Sequence, residues 1–171
     1  MTVAEQAARV LLADAHPLLR AGLRALLGET ADLHVVGEAG DGAQACELAR
    51  RLLPDVVVVD VDLPRFPDLD MLGGARVLVL AGSAGVPAAV SALRAGAAGF
   101  LAKDSPADAL IGAVRAVATG GSALSPGMLR EVLAVLLPLV PDGVPERGAG
   151  GGAPALAGLT ERELQVLAEV A

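Results

Sequence analysis

Five short, unbroken apolar runs recur within the first 102 residues, and they constrain the fold more than any other feature. They are Arg9–Ala13, Leu33–Gly37, Asp55–Val59, Arg76–Leu80 and Ala98–Ala102. The first four are rich in Val or Leu, and all five are continuous rather than alternating, the pattern of a parallel strand buried on both faces. Helix-period segments separate them. In Pro17–Gly28, Leu19, Leu23, Leu26 and Leu27 share one face while Arg20 and Arg24 lie on another. Gly42–Leu53 repeats the pattern with Cys46, Ala49 and Leu53, and Pro87–Ala95 and Pro106–Ala118 complete the set. Before the last helix, Ser105 reads as N-cap and Pro106 as first helical residue, with Asp108 in the first turn. Strand–helix alternation of this kind predicts a doubly wound, five-stranded parallel α/β sheet with right-handed crossovers.

One crossover is too short. Ten residues separate Pro64 from Ala75, and they include Pro67, Gly73 and Gly74. A parallel connection normally needs about a dozen residues or more. The third crossover helix therefore shrinks to a stub near Asp68–Leu72. Beyond the sheet, Ser125-Pro126 opens a further helix to about Leu137. Residues 138–158 hold four Pro and six Gly, the composition of a flexible linker. Leu159-Thr160-Glu161-Arg162-Glu163 then forms a capping box that starts a last helix.

Composition removes several classes of function. No apolar run approaches the ~18 residues of a membrane span, and no signal peptide opens the chain. A single cysteine, Cys46, excludes a disulfide framework or a cysteine-rich zinc site. Aromatic residues are 1% of the chain and the net charge is −7, so neither a base-stacking platform nor a global basic field is present. Residues 121–171 carry three Arg against six acidic residues, which leaves no phosphate-contacting surface there. Twelve of the thirteen basic residues are Arg, so the lone Lys103 stands out.

Ligands of an open α/β sheet sit at the carboxyl ends of the strands. There the first run delivers Asp14-Ala15-His16-Pro17, the third Asp60-Val61-Asp62-Leu63-Pro64, the fourth Ala81-Gly82-Ser83 and the fifth Lys103-Asp104. Carboxylates from adjacent strands suit one magnesium ion, and a lysine across the pocket suits a phosphoryl oxygen. His16 precedes Pro17 at a helix start and reads as part of the helix N-terminus rather than as a catalytic group. His34, in an apolar run, reads as packed or edge-exposed, and Cys46 as a small hydrophobe. The Gly150–Gly152 stretch has no preceding strand and no following Lys-Ser/Thr, so it is not a phosphate loop.

The segments VLLADAHPLLRAGLRALL, VVGEAGDGAQACELARRLLPDVVVVDVDLP, ALRAGAAGFLAKD and LTERELQVLAEVA carry a resemblance. Together they resemble a bacterial response regulator of the NarL/FixJ type, in which a receiver domain precedes a LuxR-type helix-turn-helix. The resemblance implies a flavodoxin-like receiver over residues 8–122, after a tail at 1–7. A linker helix at 123–137 and the linker at 138–158 follow. Residues 159–171 correspond to the first helix of a helix-turn-helix domain truncated at Ala171. It also implies that Asp60 is the phosphoacceptor and Asp14 the first of an acidic pair. Lys103 contacts the phosphoryl group, and Ala81 and Phe100 occupy the switch positions. By the same resemblance the chain is a cytoplasmic transcriptional regulator and not an enzyme. Its expected partners are a sensor histidine kinase, a second copy through receiver helices, and DNA only through helices beyond Ala171.

Three departures from the family pattern accompany these expectations. The second acid of the pair is Ala15, the hydroxyl residue after the fourth strand is Ala81, and the third crossover is short. Asp62 is the candidate to join Asp14 and Asp60 as a metal ligand. The expected outcome is weak magnesium binding and little or no phosphorylation at Asp60. The alternative, from another class, is a phosphorylation-independent module that senses a small molecule or binds a protein. A flavodoxin- or phosphatase-like enzyme fits poorly, because the first strand–helix turn has no glycine-rich phosphate cradle.

Overall fold

The computed structural model describes residues 7–82, 86–125, 129–130 and 132–134. Strands β1 (Ala8–Ala13), β2 (Leu33–Ala39), β3 (Val56–Asp60), β4 (Arg76–Ala81), β5 (Gly99–Ala102) and β6 (Ala123–Leu124) form one sheet in the order β2-β1-β3-β4-β5-β6. Every pairing is parallel. Helices α1 (Pro17–Gly28), α2 (Gly42–Leu52), α3 (Val86–Arg94) and α4 (Ala107–Ala118) make the crossovers.

Side-chain alternation along the strands divides the core in two. Val10 and Leu12, Val56 and Val58, and Leu78 and Leu80 pack with Leu23 and Leu27 of α1 and Leu110, Val114 and Val117 of α4. Leu11 and Ala13, Val57 and Val59, and Val77 and Val79 face the other way, toward Ala45 and Ala49 of α2 and Ala89 and Val90 of α3. Both faces of the central strands are thus covered, which is why their sequences are continuous rather than alternating. Every residue of β3 is buried, including its last, Asp60.

The expected doubly wound parallel architecture is present, with differences that have local causes. The sheet has six strands rather than five, because Ala123 and Leu124 pair with Gly99 and Phe100. Strand β2 runs two residues past Gly37, since Glu38 sits in an edge strand where Arg20 and Arg24 lie 3.3 and 3.4 Å from its carboxylate. Helix α4 starts at Ala107, with Pro106 rather than Ser105 at its N-cap, because Pro106 holds an extended ψ of 150°. Helical backbone recurs at 129–130 and 132–134. The remainder of the expected linker helix, the linker at 138–158, the capping box at Thr160 and Ser83 lie outside the described residues.

The short third crossover is a single 3-10 turn at Leu69–Met71, within the stub expected at Asp68–Leu72. Asp68 caps it by accepting from the Asp70 N–H at 3.2 Å. Leu63, Leu69 and Leu72 cover the sheet where a full helix would otherwise lie. The loop is clamped to the start of α2. Gly42 N–H donates to the Pro64 carbonyl at 2.9 Å, and Arg65 pairs with Asp41 at 2.8 Å.

Gly42 is required by this close approach, since a Cβ there would overlap the Arg65 carbonyl oxygen. Gly42→Ala is expected to destabilise the fold by about 3 kcal/mol, the upper range for overpacking. Gly22, exposed in α1 with open space around it, is the control. Gly22→Ala should stabilise by about 0.8 kcal/mol, the helix-propensity difference. Urea unfolding midpoints of the two variants test both signs.

Candidate functional site

Three strands converge on one acidic pocket at the carboxyl edge of the sheet. Asp14 follows β1, Asp60 ends the adjacent β3, and Lys103 follows β5. Asp14 and Asp60 are each 1% exposed and are the two buried charged residues among those described. Lys103 lies across them, with Nζ 2.9 Å from Asp14 Oδ2 and 2.8 Å from Asp60 Oδ2. Its own N–H donates to the Ala81 carbonyl at 2.8 Å, which ties the lysine to the end of β4.

Each carboxylate is also held by the backbone. Asp14 Oδ1 accepts from His16 N–H at 2.7 Å, and Asp60 Oδ1 accepts from Asp62 N–H at 3.2 Å. Both are Asx-type turns, the local bond that places Asp at strand ends. Arg20 of α1 donates through Nη1 to the Asp14 carbonyl at 2.6 Å, so the β1–α1 turn is fixed from both sides. The ammonium of Lys103 meets the charge on Asp60 Oδ2, yet that buried oxygen has no hydrogen bond of good geometry.

Sequence reasoning passed over one residue. His16 stands at the N-cap of α1, as its position before Pro17 suggests, but its side chain does not cap the helix. The ring instead turns to the pocket, with Nδ1 3.0 Å from Asp14 Oδ1 and 4.0 Å from Asp60 Oδ2. The signal was the Asp-x-His spacing at a strand end, because an Asx turn brings the second residue onward back to the carboxylate. Donor atoms of Asp14, His16 and Asp60 all lie within 4.8 Å of one another. Asp62 is exposed, meets Asp60 through its backbone, and is not in that cluster.

Ala81 and Phe100, which the resemblance puts at switch positions, are both buried. Ala81 ends β4 with only a methyl group facing the core. Phe100 is 1% exposed in β5, opposite Val79, among the residues that pack on α2 and α3. Cys46 is half-buried against the same core, and His34 is exposed on the edge strand β2.

Magnesium takes oxygen donors in near-octahedral geometry. This pocket offers two carboxylates, both already paired with Lys103, and its third donor is an imidazole nitrogen. Ala15, where the resemblance puts a further acid, supplies none. The donor set is acidic enough for a divalent cation and poorly matched to magnesium.

The Asp14–Lys103 pair also governs stability. Burial pushes the Asp14 carboxyl up, but Lys103 and the two bonds from His16 outweigh it and hold it below its ordinary value. Burial pulls the Lys103 ammonium down, and its contacts with Asp14 and Asp60 raise it above its ordinary value overall. The carboxylate contribution is therefore present above the unfolded Asp value and lost as pH falls through the lower folded one. The lysine contribution is present below the unfolded Lys value and lost as pH rises through the higher folded one. Both act across the neutral range. Lys103→Met should cost about 3 kcal/mol at pH 7, the low end for breaking a buried pair. With the lysine gone, only the two bonds from His16 oppose burial at Asp14, so acid should destabilise the variant less than the unaltered chain between pH 5 and pH 3. Urea midpoints across that range check the difference.

Residues 10–115 match the family model for the response regulator receiver domain. The nitrate/nitrite response regulator NarL of Escherichia coli K12 is 36% identical over 140 residues, covering 78% of this chain and 64% of that protein. This chain thus spans less than two thirds of NarL's length. NarP of the same strain is 35% identical over 173 residues, covering 95% of this chain and 74% of NarP. A crystal structure of a LuxR-family two-component response regulator from Aurantimonas sp. SI85-9A1 superposes with a TM-score of 0.70 at 33% identity, covering 77% of this chain and 99% of that one. No described helix is long and apolar enough to cross a membrane. The chain belongs to the response regulator family and carries the receiver domain of its NarL/LuxR-type transcriptional regulators.

Proposed function

We propose that this chain acts in transcription regulation through a receiver that controls a LuxR-type DNA-binding domain with little or no phosphorylation at Asp60. One observation carries the reading: Ala15 and Ala81 stand beside an otherwise assembled set of Asp14, Asp60 and Lys103. Asp60, as phosphoacceptor, would attack a phosphoryl group through a carboxylate oxygen. Charge that develops on that group must be met by cations and donors fixed in advance. Lys103 supplies one such cation. A metal ion bound weakly at Asp14 and Asp60 supplies less than a full acidic set would, and the methyl group of Ala81 supplies no hydroxyl. Loss of one interaction that acts only in the transition state costs roughly 10²–10³ in rate, by analogy with an oxyanion-hole donor.

The same proposal includes the family's partners: a sensor histidine kinase, a second copy paired through receiver helices, and DNA reached through an effector domain. The alternative of a small-molecule sensor gains no support from the described cleft beside Lys103. The cleft beside Lys103, lined by Leu19, Leu23, Leu80, Leu101 and Leu110, encloses about 30 Å³, space for about one water. Organic-ligand pockets run to several hundred Å³.

Incubation with acetyl phosphate and magnesium, read by intact mass, tests the reading. Little or no added phosphoryl mass is expected under conditions that fully label an intact receiver. Stoichiometric label that disappears in Asp60→Asn would overturn it.

A further inference from the structure

We propose that Arg65 is a single-residue hinge, and that its ion pair with Asp41 is the latch that holds the loop between β3 and β4 in its observed, closed form. The inference goes beyond the regulatory reading and does not rest on it.

The sequence leaves the hinge one place to be. Pro64 and Pro67 fix their own φ at roughly −65°. Phe66 precedes Pro67 and is confined to extended backbone. Arg65 is the one residue of this stretch that no proline restricts in either way. It is also the residue under strain. Its φ of 55° is left-handed, a region that a residue with a Cβ enters at a cost. Among the described non-glycine residues it shares that condition only with Leu53, which ends α2. A return of Arg65 to negative φ would swing the half-buried Phe66 to a new direction. Leu63 and Pro67 are buried on either side, so the movement is confined to the three residues between them.

Two contacts oppose that return. Arg65 Nη2 donates to Asp41 Oδ2 at 2.8 Å, and Gly42 N–H donates to the Pro64 carbonyl at 2.9 Å. The Asp41 carboxylate serves both elements, because its Oδ1 accepts from Gln44 N–H at 3.0 Å and caps α2. The latch is weak by construction. Its side chains are 71% and 31% exposed, and an ion pair so placed contributes little and weakens with salt. The strain of one left-handed residue is of the same order. A weak latch set against a modest strain leaves two loop states close in free energy, which is the condition for a conformational switch.

Trypsin cleavage of the full 171-residue chain tests the latch. Mass spectrometry reads the rate at the Arg65–Phe66 bond, with Arg115–Ala116 inside α4 as the reference site for general unfolding. Asp41→Asn keeps an N-cap for α2 and removes the charge. It should speed cleavage after Arg65 about fivefold, the shift that an exposed ion pair can hold, and leave the Arg115 site unchanged. Sodium chloride at about 1 M, which screens such a pair, should speed the Arg65 site of the unaltered chain by a similar factor and do little more in Asp41→Asn. Each salt rate is taken relative to a free peptide of residues 61–70. Equal rates after Arg65 in the two proteins overturn the proposal. So does equal acceleration at both sites, because the whole fold would then have loosened. The salt arm needs no variant: an Arg65 rate that salt leaves unchanged in the unaltered chain overturns the latch as well. Label on Asp60 in the phosphodonor experiment would sink the regulatory reading while leaving this result untouched.

Discussion

The ammonium of Lys103 between two buried carboxylates is the contact on which the rest of the pocket depends. Asp14 and Asp60 come from neighbouring strands, and each is almost fully removed from water. Without a counter-charge, two such groups a few ångströms apart would repel each other in a medium of low dielectric. Lys103 resolves this from the far side of β4. Strand order makes the contact geometrically available, since β1, β3, β4 and β5 are consecutive in the sheet although distant in the chain. A lone lysine in a chain whose other basic residues are all arginine reflects that requirement. An ammonium is a compact charge that can sit against two oxygens at once, where a planar guanidinium would need more room.

Much of this was legible in the sequence. The continuous Val and Leu runs at Val56–Val59 and Val77–Leu80 identified buried parallel strands because no polar face interrupts them. The spacing of Leu23 and Leu27 in α1 showed the face that packs on β1 and β3. Asp14, Asp60 and Lys103 were identifiable as strand-end residues, and the fold brings all three together. The short third crossover followed from chain length alone.

What escaped the sequence depended on contacts between distant segments or on a single dihedral angle. Strand β6 is two residues long, and only its pairing with Gly99 and Phe100 makes it a strand. Pro106 is the N-cap of α4 rather than its first helical residue because its ψ is extended, a matter of one torsion. Glu38 lies within β2 because arginines from α1 meet its charge, and no local pattern reveals them. His16 was read for its place beside Pro17. Its ring direction follows from the Asx turn at Asp14.

The departures at Ala15 and Ala81 carry the proposal: Asp14, Asp60 and Lys103 are assembled, while Ala15 adds no acid and Ala81 no hydroxyl beside them. Restoration measures this most directly. The variant Ala15→Asp with Ala81→Thr, incubated with acetyl phosphate and magnesium, should gain phosphoryl mass on Asp60 that the unaltered chain does not acquire. Equal labelling of the two proteins, in rate and extent, would contradict the account.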